Sequence, residues 1–172
     1  PSSSPSLHEV ALSFGELQLW PEASRDAAAL STSGAELFVA IEWAALDRAS
    51  GGAPQPRAES PSVSLRRLSA RFDAKLALAL PTAAEPRRRL RAALAAAAAA
   101  EVAAAAGGVA ADAMAAAAEE GDVYVLLLRE SDEGAVELGC AFVSVVALLG
   151  GGSELRGEAL SIVTESGAQL GR

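Results

Sequence analysis

Residues 62–81 read SVSLRRLSARFDAKLALALP, and apolar and polar side chains alternate through most of this stretch. Strict alternation is typical of a β-strand that has one face on a core and the other in water. The stretch therefore predicts two short strands or one bent strand. The apolar face comprises Leu68, Ala70, Phe72, Ala74, Leu76, Leu78 and Leu80. The opposite face comprises Arg67, Ser69, Arg71, Asp73 and Lys75.

Two further strands are predicted before this stretch. In residues 8–20, HEVALSFGELQLW, the alternation changes phase, which predicts one strand with a bulge near Gly15 and Glu16. Residues 36–46, ELFVAIEWAAL, predict a second strand. One face of this second strand holds Leu37, Val39, Ile41 and Trp43.

The β pattern returns in the last third of the chain. Residues 121–131, GDVYVLLLRES, are apolar in both phases, which predicts a strand buried on both sides. Residues 138–152, LGCAFVSVVALLGGG, predict a strand followed by a short turn or helix. A strand, a Glu-Ser-Gly turn and the beginning of a last strand complete the chain. The strand residues in these last segments are Cys140 and Phe142, then Leu160 and Ile162.

Helix-forming residues are concentrated after the long alternating stretch. Pro86 opens a short helix, EPRRRLRAAL, in which Leu90 and Leu94 lie one turn apart. Residues 95–118 then contain 17 Ala in 24 positions. Ala has the highest helix propensity, but such a run offers no stripe of large apolar residues that could dock on a core. It predicts a low-complexity insertion at the surface, partly helical or disordered.

Together these elements predict an all-β antiparallel sandwich with one short helix and one Ala-rich insertion. Residues 47–61, DRASGGAPQPRAESP, are expected to form a polar loop. Residues 1–6 are expected to be a disordered lead-in, and residues 7–172 a single domain whose last strand is truncated. The chain begins with Pro1 rather than Met, which favours a piece of a longer protein. One domain also fits the composition, because 42 of the 172 residues are Ala, which buries little surface.

Few residues are available for catalysis or metal binding. The chain has one Cys, Cys140, and one His, His8, so a disulfide or a Cys-based zinc site is excluded. A nucleophile–base pair would depend on His8, which follows a Ser/Pro-rich segment and is more simply an exposed residue. Cys140 lies in an apolar strand and is expected to be buried and inert. No run of 18 strongly apolar residues could span a membrane. The sequence predicts a protein that is not an enzyme and binds no cofactor.

Basic residues are concentrated in one part of an acidic chain. Residues 57–91 hold nine of the fourteen Lys and Arg residues against three acids, whereas the whole chain has a net charge of −8. In the alternating strand, Arg67, Arg71 and Lys75 would form a row, because alternate residues project to the same side. At the start of the predicted helix lies a second cluster, where positive charges oppose the helix dipole. This cluster comprises Arg87, Arg88, Arg89 and Arg91.

Both basic groups are candidates for contacting a partner. The row suits an acidic protein surface or anionic lipid headgroups. It equally fits a solvated sheet face that limits aggregation, and the helix cluster equally fits the high Arg content of the chain. Nucleic acid is disfavoured, because the chain is acidic and no aromatic residues are interleaved with the basic row.

The order of the pieces resembles a C2-type β-sandwich. The early segments that carry this likeness are VALSFGELQL, ELFVAIEW and ARFDAKLALALP. More narrowly, the chain resembles the C2-type C-terminal domain of the retinitis pigmentosa GTPase regulator-interacting protein family. This narrower resemblance covers most of the chain outside residues 1–6 and the Ala-rich insertion. The segments that carry it are residues 138–143, 146–149, 158–163 and 170–172.

The resemblance implies a scaffold module of a ciliary protein at the ciliary base or transition zone, inside the cell. Such a module would dock onto a propeller-type GTPase regulator or another ciliary scaffold protein, with the two basic groups steering the partner. The alternative is a membrane-surface C2 module that binds anionic lipid through its basic sheet face without Ca²⁺. Many C2 domains bind Ca²⁺ through clustered Asp residues, but here no two Asp residues are close in sequence. They are Asp26, Asp47, Asp73, Asp112, Asp122 and Asp132.

Overall fold

Antiparallel strands form the framework of the protein. The computed structural model describes residues 9–20, 30, 34–51, 57–105, 119–151 and 159–172. The strands in this part of the chain are β1 (Glu9–Gln18), β2 (Glu36–Glu42), β3 (Ala58–Glu59), β4 (Val63–Ser64), β5 (Ser69–Ala79), β6 (Asp122–Ser131), β7 (Gly134–Ser144), β8 (Ile162–Val163) and β9 (Gln169–Gly171). The helices are α1 (Ala44–Ser50), α2 (Ala84–Ala105) and α3 (Val145–Gly151).

Strands β1 and β5 form a two-stranded antiparallel ribbon. Its register shifts once, between Phe14 and Glu16 of β1. Opposite this point, two residues of β5, Phe72 and Asp73, lie across from the single residue Gly15. Asp73 has a left-handed backbone with φ of 42°. The bulge that the change of phase predicts is therefore confirmed, and β5 supplies the extra residue.

The other seven strands form a larger antiparallel sheet in the order β3–β2–β6–β7–β8–β9, with β4 also paired to β2. β6 pairs with β2 on one side and with β7 on the other. β8 is short and pairs with β7 only where Cys140 lies opposite Val163. The predicted order of the C-terminal elements is confirmed: β7 is followed by helix α3, and β8 by a turn and β9. Leu160, predicted in the strand with Ile162, lies before β8.

The two sheets meet where the end of β1 reaches β9. The amide of Gln18 donates to the carbonyl of Arg172 (2.8 Å), and the amide of Arg172 donates back to Gln18 (3.0 Å). Leu19 forms a bridge with Gly171 next to this pair, and the amide of Trp20 donates to the carbonyl of Leu170 (2.9 Å). A Cβ at residue 171 would overlap the carbonyl oxygen of Gln18. Only Gly allows the backbones to come this close.

A tight turn joins β4 to β5. Two hydrogen bonds between the backbones of Arg66 and Ser69, 2.8 and 2.9 Å long, close this turn. Its two central residues, Arg67 and Leu68, both have positive φ, 50° and 65°. Two-residue hairpin loops of this kind match the twist of the strands that they join. Residues 62–81 therefore contain the two-residue strand β4 and the eleven-residue strand β5, so that only the first of the two strands is short.

The facing sides of the two sheets share one apolar core. The ribbon contributes Leu17, Leu19, Ala70, Leu76 and Leu78. The larger sheet contributes Leu37, Val39, Ile41, Val123, Val125, Leu127, Ala141 and Val143. Each set lies at alternate positions of its strands, as a half-buried strand requires. The all-β antiparallel sandwich that the sequence predicts is confirmed.

The predicted short helix at Pro86 is present and is longer than expected. Helix α2 continues to Ala105 and so includes the first part of the Ala-rich segment. Leu90, Ala97 and Ala100 are buried along it. The expectation that the Ala run has nothing to dock is therefore wrong for this part, because Ala allows close packing where larger residues would not fit. Residues 106–118 of the predicted insertion lie outside the described residues.

Helix α1 replaces the end of a predicted strand and the start of a predicted loop. β2 ends at Glu42, and α1 begins at Ala44, buries Ala45, Leu46 and Ala49, and packs on α2. The indole nitrogen of Trp43 donates to the carbonyl of Glu120 (3.0 Å). The buried Trp43 lies at the change from the sheet to the helix. The predicted loop over residues 47–61 is thus wrong for α1 and for β3, and residues 52–56 are outside the described part.

Candidate protein-docking surfaces

The predicted basic row lies on the outer side of the β1–β5 ribbon. Arg71 and Lys75 are exposed there, but Arg67 is in the tight turn before β5 and does not continue the row. The guanidinium of Arg71 pairs with Asp73 (2.8 Å), and the ammonium of Lys75 pairs with Glu9 (3.5 Å). The hydrogen bond that Arg71 donates to Asp73 raises the pKa of Arg71.

The outer side of this ribbon is mixed in charge rather than basic. Three carboxylates share it with the two cations, because Glu16 of β1 lies opposite Arg71. Glu16 also accepts a hydrogen bond from the hydroxyl of Ser69 (2.7 Å). The sequence pattern showed β5 alone and could not show which charges β1 would place beside it.

The second predicted cluster occupies the first turns of α2. Glu85 lies in the first turn and pairs with Arg88 (2.9 Å) and Arg89 (3.2 Å). Hydrogen bonds from these two arginines lower the pKa of Glu85. Arg87 donates from Nε to the carbonyl of Pro81 (3.1 Å), and Arg91 is exposed. The carboxylate of Glu85 thus offsets part of the positive charge of this cluster. It also interacts favourably with the dipole at the N-terminus of α2.

A different surface, the outer face of the larger sheet, carries the most exposed aromatic side chain in the described part of the chain. Phe142 of β7 is 62% exposed and lies opposite Tyr124 of β6. Tyr124 is half-buried and lies opposite Glu42 of β2. One row of side chains therefore crosses three strands and ends on an uncovered phenyl ring.

The next rows of the same face become progressively more buried. Leu126 and Cys140 lie opposite each other and are half-buried. Phe38, Ala40 and Leu128 are buried and form a second, smaller core against which Leu126 packs. We call the open end of this face, formed by Tyr124, Phe142, Leu126 and Cys140, the aromatic face.

The prediction that β6 is buried on both sides holds only for part of the strand. Leu127 and Leu128 are both buried, whereas Tyr124 and Leu126 are half-exposed. The apolar run in residues 121–131 includes the residues of this surface. Its periodicity could not distinguish an apolar residue that is buried from one that is exposed to water. Cys140, expected to be buried, is half-buried too.

Acidic side chains border the aromatic face. Burial raises the pKa of Asp122, and the nearby carboxylates of Glu101 and Glu119 raise it further. Glu101 reaches this place from α2, where it accepts a hydrogen bond from the hydroxyl of Ser144 (3.0 Å). Burial also raises the pKa of Tyr124, and the carboxylate of Glu119 raises it further. A protein surface in contact with the aromatic face would be attracted more strongly if it carried basic groups around an apolar centre.

The sulfur of Cys140 is part of this face and stays protonated. Burial raises the pKa of its thiol, and the carboxylate of Glu137 raises it further. A protonated thiol is a weak nucleophile and behaves as a small apolar group. Cys140 thus contributes contact area.

Among the described residues, no group of three His, Cys, Asp or Glu side chains is arranged to hold a metal ion. Of the six Asp residues, Asp73 pairs with Arg71, Asp122 begins β6, and Asp132 follows the end of β6. His8, Asp26 and Asp112 lie outside the described part. No helix in the described residues is both long and apolar enough to cross a membrane.

No known protein-family profile matches the chain, and no curated protein is significantly similar to it.

Proposed function

We propose that this chain is a non-catalytic protein-interaction module and that it docks its partner on the aromatic face. The exposure of Phe142 is the observation that carries the proposal. A large aromatic ring on a sheet face costs free energy when it faces water. Contiguous exposed apolar surface of this kind is typical of interaction sites.

The neighbours of Phe142 have the character of an interface centre. Tyr124 adds a second aromatic ring with a polar end, and such residues are enriched among those that dominate binding energy. Leu126 and Cys140 extend the apolar area, and the buried residues behind Leu126 hold it in place. The acidic groups at Asp122 and Glu119 form a polar margin, which is the usual arrangement around an apolar centre.

The resemblance of the sequence to the retinitis pigmentosa GTPase regulator-interacting protein family suggests the partner. In this proposal the module belongs to a scaffold at the ciliary base or transition zone and docks onto a propeller-type GTPase regulator or another ciliary protein. The partner would present an apolar patch with basic residues around it, because the margin of the aromatic face is acidic.

The membrane-surface alternative has less support from the geometry. It depends on a basic sheet face, and the ribbon instead places Glu9, Glu16 and Asp73 beside Arg71 and Lys75. Exposed ion pairs of this kind leave little net charge to attract anionic lipid. We therefore propose a protein rather than a membrane as the partner.

The test is a calorimetric titration of this chain with the purified propeller domain of such a regulator. Phe142→Ala should weaken binding by about tenfold or more, because it removes a central aromatic contact. Val102→Ala is the matched control, since Val102 is 72% exposed on α2 and lies outside the aromatic face. An equal loss of affinity in the two variants, or unchanged binding by Phe142→Ala, would contradict the proposed docking site. Absence of any binding by the unmodified chain would exclude this class of partner.

A further inference from the structure

One edge of the larger sheet has no strand partner in the described part of the chain. β7 has eleven residues, and along its edge away from β6 it pairs with β8 only at Cys140. The antiparallel register of that pair would place residues 165–169 alongside residues 134–138. The chain does not continue in that direction, because β8 ends in a turn.

The turn that ends β8 is well defined. Gly167 has φ of 79°, its amide donates to the carbonyl of Thr164 (2.8 Å), and the amide of Thr164 donates to Ala168 (2.8 Å). The chain therefore returns to form β9 on the other side of β8. On the side away from β6, residues 134–138 therefore have no strand partner among the described residues over about 17 Å, which is enough for five residues of an added strand. The carbonyl of Gly134 accepts a hydrogen bond from the hydroxyl of Ser131 (2.7 Å) at one end of this stretch, and Leu138 lies at a shift of register at the other end.

The side chains at this edge are predominantly acidic. Four exposed carboxylates surround it: Glu130, Asp132, Glu133 and Glu137. None of them has an ion pair with another described residue, although Glu130 accepts a hydrogen bond from the hydroxyl of Ser62. Lys and Pro, with which many proteins protect their edges, are missing from residues 134–138.

The two faces of this edge differ. The register places Ala135 opposite Glu130, so Glu130, Ala135 and Glu137 share one face. Val136 lies opposite Arg129 on the other face and is 41% exposed. An added strand would therefore meet carboxylates with its alternate residues on one side and an apolar side chain on the other.

We propose that residues 134–138 bind an extended basic peptide by β-strand addition. Backbone hydrogen bonds to β7 would supply affinity. One Lys or Arg beside Glu137, and a second that reaches across the small Ala135 to Glu130 on β6, would supply specificity. A residue between them would pack on Val136. A second copy of this chain suits the edge less well, because it would bring the same four carboxylates against each other. This site adjoins the aromatic face, because Glu137 lies near Cys140, but it is centred on the end of β7 opposite to Phe142.

The test uses the whole chain and a fluorescein-labelled peptide, Lys-Val-Lys-Val-Lys-Val, with anisotropy as the measurement of binding. The matched peptide control is N-methylated at alternate amides, which removes strand hydrogen bonds without changing charge. The double variant Glu130→Lys with Glu137→Lys should weaken peptide binding by about tenfold or more, since close charge pairs are replaced by repulsion. Glu119 lies beyond the opposite end of β6. Glu119→Lys should therefore leave the affinity for the peptide within about twofold of that of the unmodified chain.

Hydrogen exchange locates the peptide. The bound peptide should slow exchange at the amides of residues 134–138, and Phe142→Ala should bind it as the unmodified chain does. Equal binding of the N-methylated peptide, protection elsewhere, or no binding up to about 1 mM would overturn the proposal. A dimer that forms through this edge would also overturn it. Failure of the propeller titration would leave this outcome unaffected, because that experiment tests the aromatic face.

Discussion

Phe142 lies directly opposite Tyr124 across the β6–β7 ladder, and the phenyl ring is exposed while the tyrosine is half-buried. A cross-strand aromatic pair of this kind normally packs one ring on the other and hides both. Here the pair forms the open end of a sheet face whose other end, at Phe38 and Leu128, is covered. This contrast along one face is the basis for placing the docking site there.

The contact between Gly171 and Gln18 should be essential for joining the two sheets. Gly171→Ala should lower the free energy of unfolding by about 2 kcal/mol or more, because the new methyl group would overlap a backbone carbonyl that cannot move aside. Gly15→Ala is the control, since nothing lies within 4 Å of its Cβ position. Urea denaturation checks both variants. Equal stability of the two would contradict this role of Gly171.

The Ala-rich part of α2 should tolerate change on one side only. Ala97→Glu should lower the free energy of unfolding by about 2 kcal/mol or more, because Ala97 is fully buried and a carboxylate there would lose its water. Ala96→Glu should have little effect, since Ala96 is exposed on the same helix. Thermal and urea unfolding measure the difference. Similar stability of the two variants would show that the Ala run is not docked.

Much of the framework could be predicted from the sequence, because alternation reports directly on half-buried strands. The phase change after Phe14 located the bulge, and the pattern from Leu68 to Leu80 located β5. Helix α1 was missed because Trp43 and the small residues after it fit a strand as well as a helix. The docked part of α2 was missed because an Ala run has no periodicity that marks its buried side.

The candidate site was harder to predict than the fold. Arg71 and Lys75 alternate with apolar residues and looked like a basic row, but their partners Asp73 and Glu9 determine the net charge. Glu9 is distant in sequence and becomes a neighbour only through the pairing of β1 with β5. Phe142 was assigned to a strand, and nothing in its local sequence showed that its side of the sheet would be open.

Asp122 should make the protein less stable near neutral pH. Burial and the carboxylates of Glu101 and Glu119 raise its pKa, so the folded protein holds this proton more tightly than the unfolded chain does. The destabilisation is therefore present above the raised pKa, declines as the pH falls through it, and disappears below the ordinary value of 3.8. Asp122→Asn should add stability at pH 7, by less than about 1 kcal/mol because the group is only half-buried and water screens its charge.

The measurement for Asp122 is urea denaturation of both proteins from pH 3 to pH 7. The gain in the variant should shrink toward zero at the acidic end. A constant difference across this range would mean that the effect is not electrostatic.

Anionic vesicles should bind this chain weakly. The pairing of Arg71 with Asp73 and of Lys75 with Glu9 neutralises the ribbon, so sedimentation with phosphatidylserine vesicles should remain near the level seen with neutral vesicles. Arg67→Glu with Arg71→Glu should change this little. Strong, salt-sensitive sedimentation that the double variant abolishes would instead support the membrane-surface function.

A photo-crosslinking experiment tests the docking proposal most directly. The photoreactive p-benzoylphenylalanine is placed at residue 142, or at residue 102 as the control, and each protein is irradiated with the purified propeller domain. Docking on the aromatic face predicts a crosslinked product from residue 142, with the attachment mapped to an apolar patch of the propeller domain, and none from residue 102. A complex that forms but crosslinks only from residue 102, or from neither position, would contradict docking at Phe142.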